Sequence, residues 1–248
     1  MHFTSEQRLD DGVLERAFTL DRGPGIPGIL WTPASATASA PAPVILLGHP
    51  GGLRAMYPRL VGRARHAAAN GFATATIESP GSGDRPRSGD AEQARADLRR
   101  AVLAGEPVDD EIVDRLVLPL VAKAVPEWQT ALDAVLALPD IGGPVGYSGG
   151  VIAVGVRLAL VEPRIVAAGL FAGSYVPRAT FDEARQVTIP LHVLLQWDDE
   201  GNDRQLALDL FDAFGSQEKT LQANMGGHTG VPPFAGEDAA RFFARHLT

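Results

Sequence analysis

Ser148 stands among three glycines in Gly146-Tyr147-Ser148-Gly149-Gly150, between a short apolar run and the helix-like stretch GGVIAVGVRLALVEP. The five residues fit G-x-S-x-G, a pattern that sets a serine on a sharp turn from strand to helix. Only small neighbours let the two elements approach closely there, and Gly146 and Gly150 meet that need. The expectation is a strained serine backbone, an exposed nucleophilic Oγ, and a helix N-terminus whose free N–H groups and dipole favour a developing oxyanion. The opposing reading is a glycine-rich turn with a serine that does no chemistry.

A serine hydroxyl is a weak nucleophile and needs a base, with a third group to orient that base. Three histidines follow Ser148 in the chain: His192, His228 and His246. His192 lies inside the strand-like IPLHVLLQ, as a packed or edge side chain. His246 falls in a C-terminal helix, on a face expected to be solvated. His228 lies in the glycine-rich NMGGHTGVPPF after the last apolar run, where a loop side chain can reach back over a sheet toward Ser148. The orienting acid should follow the strand between them, and LLQWDDEGN supplies Asp198, Asp199 and Glu200. Adjacent residues point in different directions, so one of them faces the imidazole; Asp199 is chosen, with Asp198 as the alternative. For the oxyanion, one donor is the N–H of Gly149. The second comes from LLGHPGG, where Pro50 has no N–H, Gly51 is the candidate and Gly52 the reserve. His49 in that stretch orders the loop.

These groups need a scaffold. Apolar runs of strand length alternate with segments of helical period, which argues for an α/β fold with a largely parallel sheet covered on both faces. Residues 12–20 and 26–33 form an opening antiparallel pair. VILLG (44–48), FATATIE (72–78), GPVGYS, IVAAGLFAG, IPLHVLLQW (189–197) and EKTLQAN (218–224) read as strands. Helices are expected at 59–71, over the segment after Gly149, at 203–214 and at 236–247. The segment from Ala91 to Leu138 reads as three helices, separated at Gly105 and Pro107 and again at Pro126, where proline suits a first helical position. A single domain over 1–248 is expected, with a helical insertion at about 85–125 over the sheet. Pocket walls are expected from the 79–88 turn, the insertion helices and the loops near Tyr57 and Tyr175.

Composition narrows the chemistry. The 248 residues are 45% hydrophobic and 21% charged, and the chain holds no cysteine. Thiol nucleophiles, cysteine-based zinc sites and redox pairs are therefore excluded. A net charge of −8 argues against a general nucleic-acid binder. The opening MHFTSEQRLDDG has neither a basic nor an apolar leader region, and no apolar run is suited to span a bilayer. A soluble, cytoplasmic protein is expected. Gly23-Pro24-Gly25-Ile26-Pro27-Gly28 matches G-x-G-x-x-G, but its prolines remove donors and a strand follows, so a dinucleotide site is rejected. Asp109-Asp110-Glu111 is a charge cluster at a helix start and not a metal site.

Taken in order, GHPGG, ESPGSGDRP, VGYSGG, LLQWDDE and GGHTG resemble the motifs of an α/β-hydrolase, closest to the dienelactone-hydrolase-like serine esterases. The resemblance runs from about Ile26 onward. It implies a mostly parallel sheet of about eight strands and a Ser-His-Asp triad, with no metal or organic cofactor. Ser148 would be the nucleophile, His228 the general base and acid, Asp199 the orienting acid, and Gly51 and Gly149 the oxyanion donors. Dienelactone hydrolases proper use a cysteine nucleophile, which this chain lacks, and a His-Gly stands where this chain has His49-Pro50. The expected activity is cleavage of a small-molecule carboxylic ester, lactone or thioester. Amide, peptide or C–C bond hydrolysis on the same triad, and a non-catalytic binding protein on the same fold, are the alternatives. The partly apolar insertion would serve as a lid, as a homodimer face, or as both.

Overall fold

In the computed structural model, which describes residues 1–23, 25–173 and 175–248, one sheet organises the chain. Its strands are β1 (His2–Arg8), β2 (Leu14–Leu20), β3 (Ile26–Thr32), β4 (Ala42–Gly48), β5 (Ala73–Ile77), β6 (Ile141–Gly149), β7 (Ile165–Phe171), β8 (Leu191–Gln196) and β9 (Lys219–Asn224). They lie in the order β1-β2-β3-β5-β4-β6-β7-β8-β9. The first three form an antiparallel meander, β3 runs antiparallel to β5, and the strands from β5 through β9 are mutually parallel. The helices are α1 (Leu53–Ala69), α2 (Gly89–Ala104), α3 (Asp110–Leu136), α4 (Ile152–Val161), α5 (Arg178–Ala184), α6 (Arg204–Ala213) and α7 (Pro233–Leu247).

The continuous apolar runs of the central strands follow from burial on both sides, because successive side chains point to opposite faces. In β4, Val44 and Leu46 join the core beneath α3 and α4, while Ile45 and Leu47 join the core beneath α1 and α7. In β6, Val145 and Tyr147 take the α3 side. Gly146 faces the other way, and a Cβ there would press on Phe243 of α7 at 2.8 Å. The same alternation sends Ser148 toward α1 and α7. This assignment, fixed by the pleat, decides what the serine can touch.

Three expectations change. The sheet has nine described strands where about eight were expected, because β1 is exposed along its whole length and has no apolar alternation to betray it. The helix break at Pro126 does not occur: α3 runs unbroken through Pro119 and Pro126. Its stripe of Val113, Val117, Val121, Ala124, Trp128, Ala131, Leu132 and Val135 stays buried on both sides of the proline. That continuous burial outweighs the local cost of about 3 kcal/mol for an interior proline. The helix packs against β2, β5 and β6 of the sheet and against α4. Gly105 does end α2, at φ 66°. His246 is not on a solvated face; it packs against Phe242 and pairs with Glu218 at 3.2 Å. His192 is buried, stacked on Phe242, with Nδ1 at 3.1 Å from the Thr220 hydroxyl. Of the G-x-G-x-x-G match, Pro24 lies outside the described residues, and Ile26 opens a strand where a dinucleotide site needs a helix. No helix among the described residues is long and apolar enough to cross a membrane.

Burial pushes the His192 imidazole below its ordinary 6.5. The unfolded chain then takes up this proton more readily than the folded one, so stability falls as pH drops below about 6.5. His49 is shifted the same way by burial. In His192→Phe, the loss of Tm between about pH 8 and about pH 5, followed by circular dichroism, should be smaller than in the wild type. An unchanged loss would assign the acid sensitivity to other groups.

Candidate active site

The ends of the parallel strands converge where β4 and β6 run side by side, with Leu47 opposite Ser148 and Gly48 opposite Gly149. The chain leaves β6 through Gly149 at φ 84° and Gly150 at φ 76°, passes Val151, and enters α4. A Cβ on Gly150 would lie 3.0 Å from the Gly48 Cα and 2.8 Å from the Tyr147 hydroxyl. Glycine is therefore required there twice over, for the left-handed turn and for the close approach.

This corrects the expected backbone of Ser148. No non-glycine residue among those described has a positive φ, and Ser148 is an ordinary strand residue paired with Leu47 and Gly169. Two consecutive glycines after the serine take the left-handed conformations without steric cost, so the strain does not fall on the serine. The residue directly before α4 is Val151, which has no side-chain capping bond to offer. The cleft in front of it, bordered by His49, Ser79, Leu120, Trp128 and Tyr147, holds only about 10 Å³, roughly the space of one water.

Ser148 instead opens on the other face. Its Oγ accepts a hydrogen bond from Arg63 Nη2 at 2.8 Å, and the same Nη2 donates to the Ser148 carbonyl at 3.0 Å. Arg63 comes from α1, and its Nη1 lies so close to Gly149 that a Cβ there would stand 2.9 Å away. Beside this pair lies a cavity of about 280 Å³ between α1, α7 and the sheet, bordered by Ile45, Leu47, His66, Ser148, Pro233 and Phe243 among others. Burial pushes the Arg63 guanidinium down to about 10, which still leaves it charged at neutral pH. This cavity is bounded by α1 and α7, whereas the narrow cleft before Val151 is the one bordered by the 79–88 turn, through Ser79, and by the insertion, through Leu120 and Ala124. Tyr57 is occupied elsewhere, donating to Glu15 at 2.9 Å.

His228 and Asp199 meet. His228 Nδ1 lies 2.7 Å from Asp199 Oδ2, across the loops that follow β8 and β9. The other Asp199 oxygen accepts the Gly201 N–H at 3.1 Å, which fixes the carboxylate plane. The Asp199 side chain is 8% exposed and that of His228 79%. Asp198 is exposed and makes no hydrogen bond to His228. Buried Gln196, at the end of β8, donates to the Gly227 carbonyl at 3.1 Å and ties the histidine loop to the sheet. Among the described residues there is no hydrogen bond between Ser148 and His228; the serine is engaged by Arg63. Gly51 lies in the turn between β4 and α1, and Gly149 at the end of β6, so the expected donors stand on adjacent strand exits. His49 is buried, with Nε2 at 2.9 Å from the Ile77 carbonyl, and orders its loop.

Arg63 and Gln196 were not among the residues singled out from the sequence. Arg63 carried a signal: it falls three residues after Leu60 and four before Ala67, both buried, and so occupies an inward position of an amphipathic helix.

No family model matches the chain, and no curated protein matches it. Solved structures do. A cold-adapted esterase from an Arctic intertidal metagenomic library aligns over all of both chains at 26% identity and TM-score 0.77. Dienelactone hydrolase from Anabaena variabilis aligns over 95% of this chain and 99% of its own, at 19% identity and TM-score 0.62. Acetyl xylan esterase from Paenibacillus sp. R4 aligns over 99% and 88%, at 16% identity and TM-score 0.67.

An Asp199 carboxylate on Nδ1 holds the proton of neutral His228 on that nitrogen and leaves Nε2 as the basic one. Long-range ¹H–¹⁵N spectra should therefore show a single Nδ1–H tautomer in the wild type and in Asp198→Asn, and a mixed population in Asp199→Asn. Equal spectra for the two variants would separate the histidine's tautomer from this carboxylate.

Proposed function

We propose that this chain, an α/β-hydrolase by fold, hydrolyses a small-molecule carboxylic ester, lactone or thioester with Ser148 as nucleophile, His228 as general base and acid, and Asp199 as the group that orients the histidine. The observation that carries the reading is the 2.7 Å contact between His228 and Asp199 at the ends of neighbouring strands, with Nε2 left for a substrate or nucleophile. Two further points support it. The structure similar over its full length at 26% identity is that of an esterase. Ser148 also borders a cavity lined on one side by α7 from Pro233 to Phe243, a helix that begins five residues after His228.

In the proposed cycle, Ser148 Oγ attacks the carbonyl carbon and its proton passes to His228 Nε2. The tetrahedral oxyanion is held by the Gly149 and Gly51 N–H groups. The leaving alcohol takes the proton from His228, and water, activated by the same nitrogen, releases the acid. The resting contact between Arg63 and Ser148 has two consequences. A cation 2.8 Å from the hydroxyl favours its ionised form. The proposed proton transfer also requires His228 Nε2 to come within hydrogen-bond reach of Ser148 Oγ, a contact not made among the described residues at rest.

The second reading is a binding protein that keeps the fold without turnover. The ordinary strand backbone of Ser148, and Val151 in the place directly before α4, favour it. Amide, peptide or C–C bond hydrolysis would use the same groups and has no observation of its own.

Hydrolysis of short- and medium-chain p-nitrophenyl esters separates the two readings. Under the first, Ser148→Ala and His228→Ala should each lower kcat/KM by about a hundredfold or more while retaining native circular dichroism. Equal turnover in wild type and Ser148→Ala would remove the serine from the reaction. Absence of turnover in the folded wild type, across esters and lactones, would favour the binding protein.

A further inference from the structure

The cavity between α1 and α7 contains a cation with no anion. Arg63 donates twice, both times from Nη2 and both times to Ser148. Among the described residues its Nη1 and Nε have no hydrogen-bond partner, and no carboxylate forms an ion pair with the side chain. The other inward-held arginines differ: Arg16 pairs with Asp140 at 2.8 Å, and Arg85 forks onto both oxygens of Glu127 at 2.6 and 2.7 Å. Arg63 is partly exposed and its unpartnered Nη1 and Nε are open to solvent, so an arriving carboxylate can accept paired N–H donors there and supply the missing counter-charge.

The remaining walls set the rest of the ligand. Ile45, Leu47, Phe72 and Phe243 present apolar surface, and none of the bordering residues is acidic. Access lies between the helices, where Gly62 of α1 and Gly236 of α7 are both exposed and carry no side chain. A volume of about 280 Å³ is at the lower end for ligand sites and suits a molecule of a few carbons.

We propose that this cavity binds a short aliphatic monocarboxylate, its carboxylate on Arg63 and its chain over Ile45, Leu47 and Phe243. The site stands whether or not Ser148 acts as a nucleophile, because its recognition element is the arginine and its apolar surroundings.

Calorimetric titration with butanoate, hexanoate and the neutral isostere hexanamide tests it. The wild type should bind one hexanoate per chain, more tightly than butanoate and at least about tenfold more tightly than hexanamide. Arg63→Gln should lose at least about tenfold in hexanoate affinity, with Arg63→Lys between it and the wild type. Ala239→Leu, which fills the cavity from α7 and leaves Arg63 in place, should abolish binding. Hexanamide binding as tightly as hexanoate, no hexanoate binding at all, or undiminished binding in a folded Arg63→Gln would each overturn the proposal. If Arg63→Gln does not fold, the acid-against-amide comparison in the wild type and the Ala239→Leu titration decide the matter.

Discussion

The contact between the exits of β4 and β6 governs the geometry around it. Gly48 and Gly150 lie so close that a methyl group on either would sit 3.0 Å from the other's Cα, and Tyr147 closes the gap from below. This approach brings the turn before α1 and the turn before α4 together, and the chain makes it with two glycines at positive φ, Gly149 at the end of β6 and Gly150 after it. With the turn made by Gly149 and Gly150, Ser148 stays in the pleat. The pleat in turn gives Tyr147 to the α3 face and Ser148 to the α1 face. A single steric constraint thus separates the serine from the narrow cleft at the start of α4 and presents it to Arg63.

Electrostatics then divides the site into two halves. On one side a carboxylate held by β8 meets an exposed histidine, an arrangement that can accept and return a proton. On the other a guanidinium without a counter-ion faces a serine hydroxyl and an apolar cavity. The two halves share the first turn of α7 as a boundary, since the loop after β9 carries His228 directly into that helix. The proposed chemistry depends on those halves working together, with a serine held by a cation on one side and an exposed histidine on the other.

Much of this was legible in the sequence, for physical reasons. The buried parallel strands announced themselves as unbroken apolar runs because both faces are covered, and chain order placed His228 and Asp199 at the ends of neighbouring strands. The edge strand β1, exposed along its length, left no pattern to read. Pro126 looked like a helix start because local propensity cannot register the buried stripe that carries α3 across it. G-x-S-x-G located the turn correctly but not the residue that makes it, since a second glycine after the serine relieves the strain the motif implies. Arg63 was one arginine among many in a chain where arginine does almost all the cationic work. Only its spacing from Leu60 and Ala67 marks it as inward.

The claim at the centre of this account is that Ser148 can be driven to attack by His228. The most direct measurement is covalent labelling with a serine-directed fluorophosphonate, with the adduct mapped by peptide mass spectrometry in the wild type and in His228→Ala. The account predicts a single adduct on the peptide containing Ser148, lost when the histidine is removed. A folded wild type that forms no adduct, or one that forms it on another residue, would contradict it.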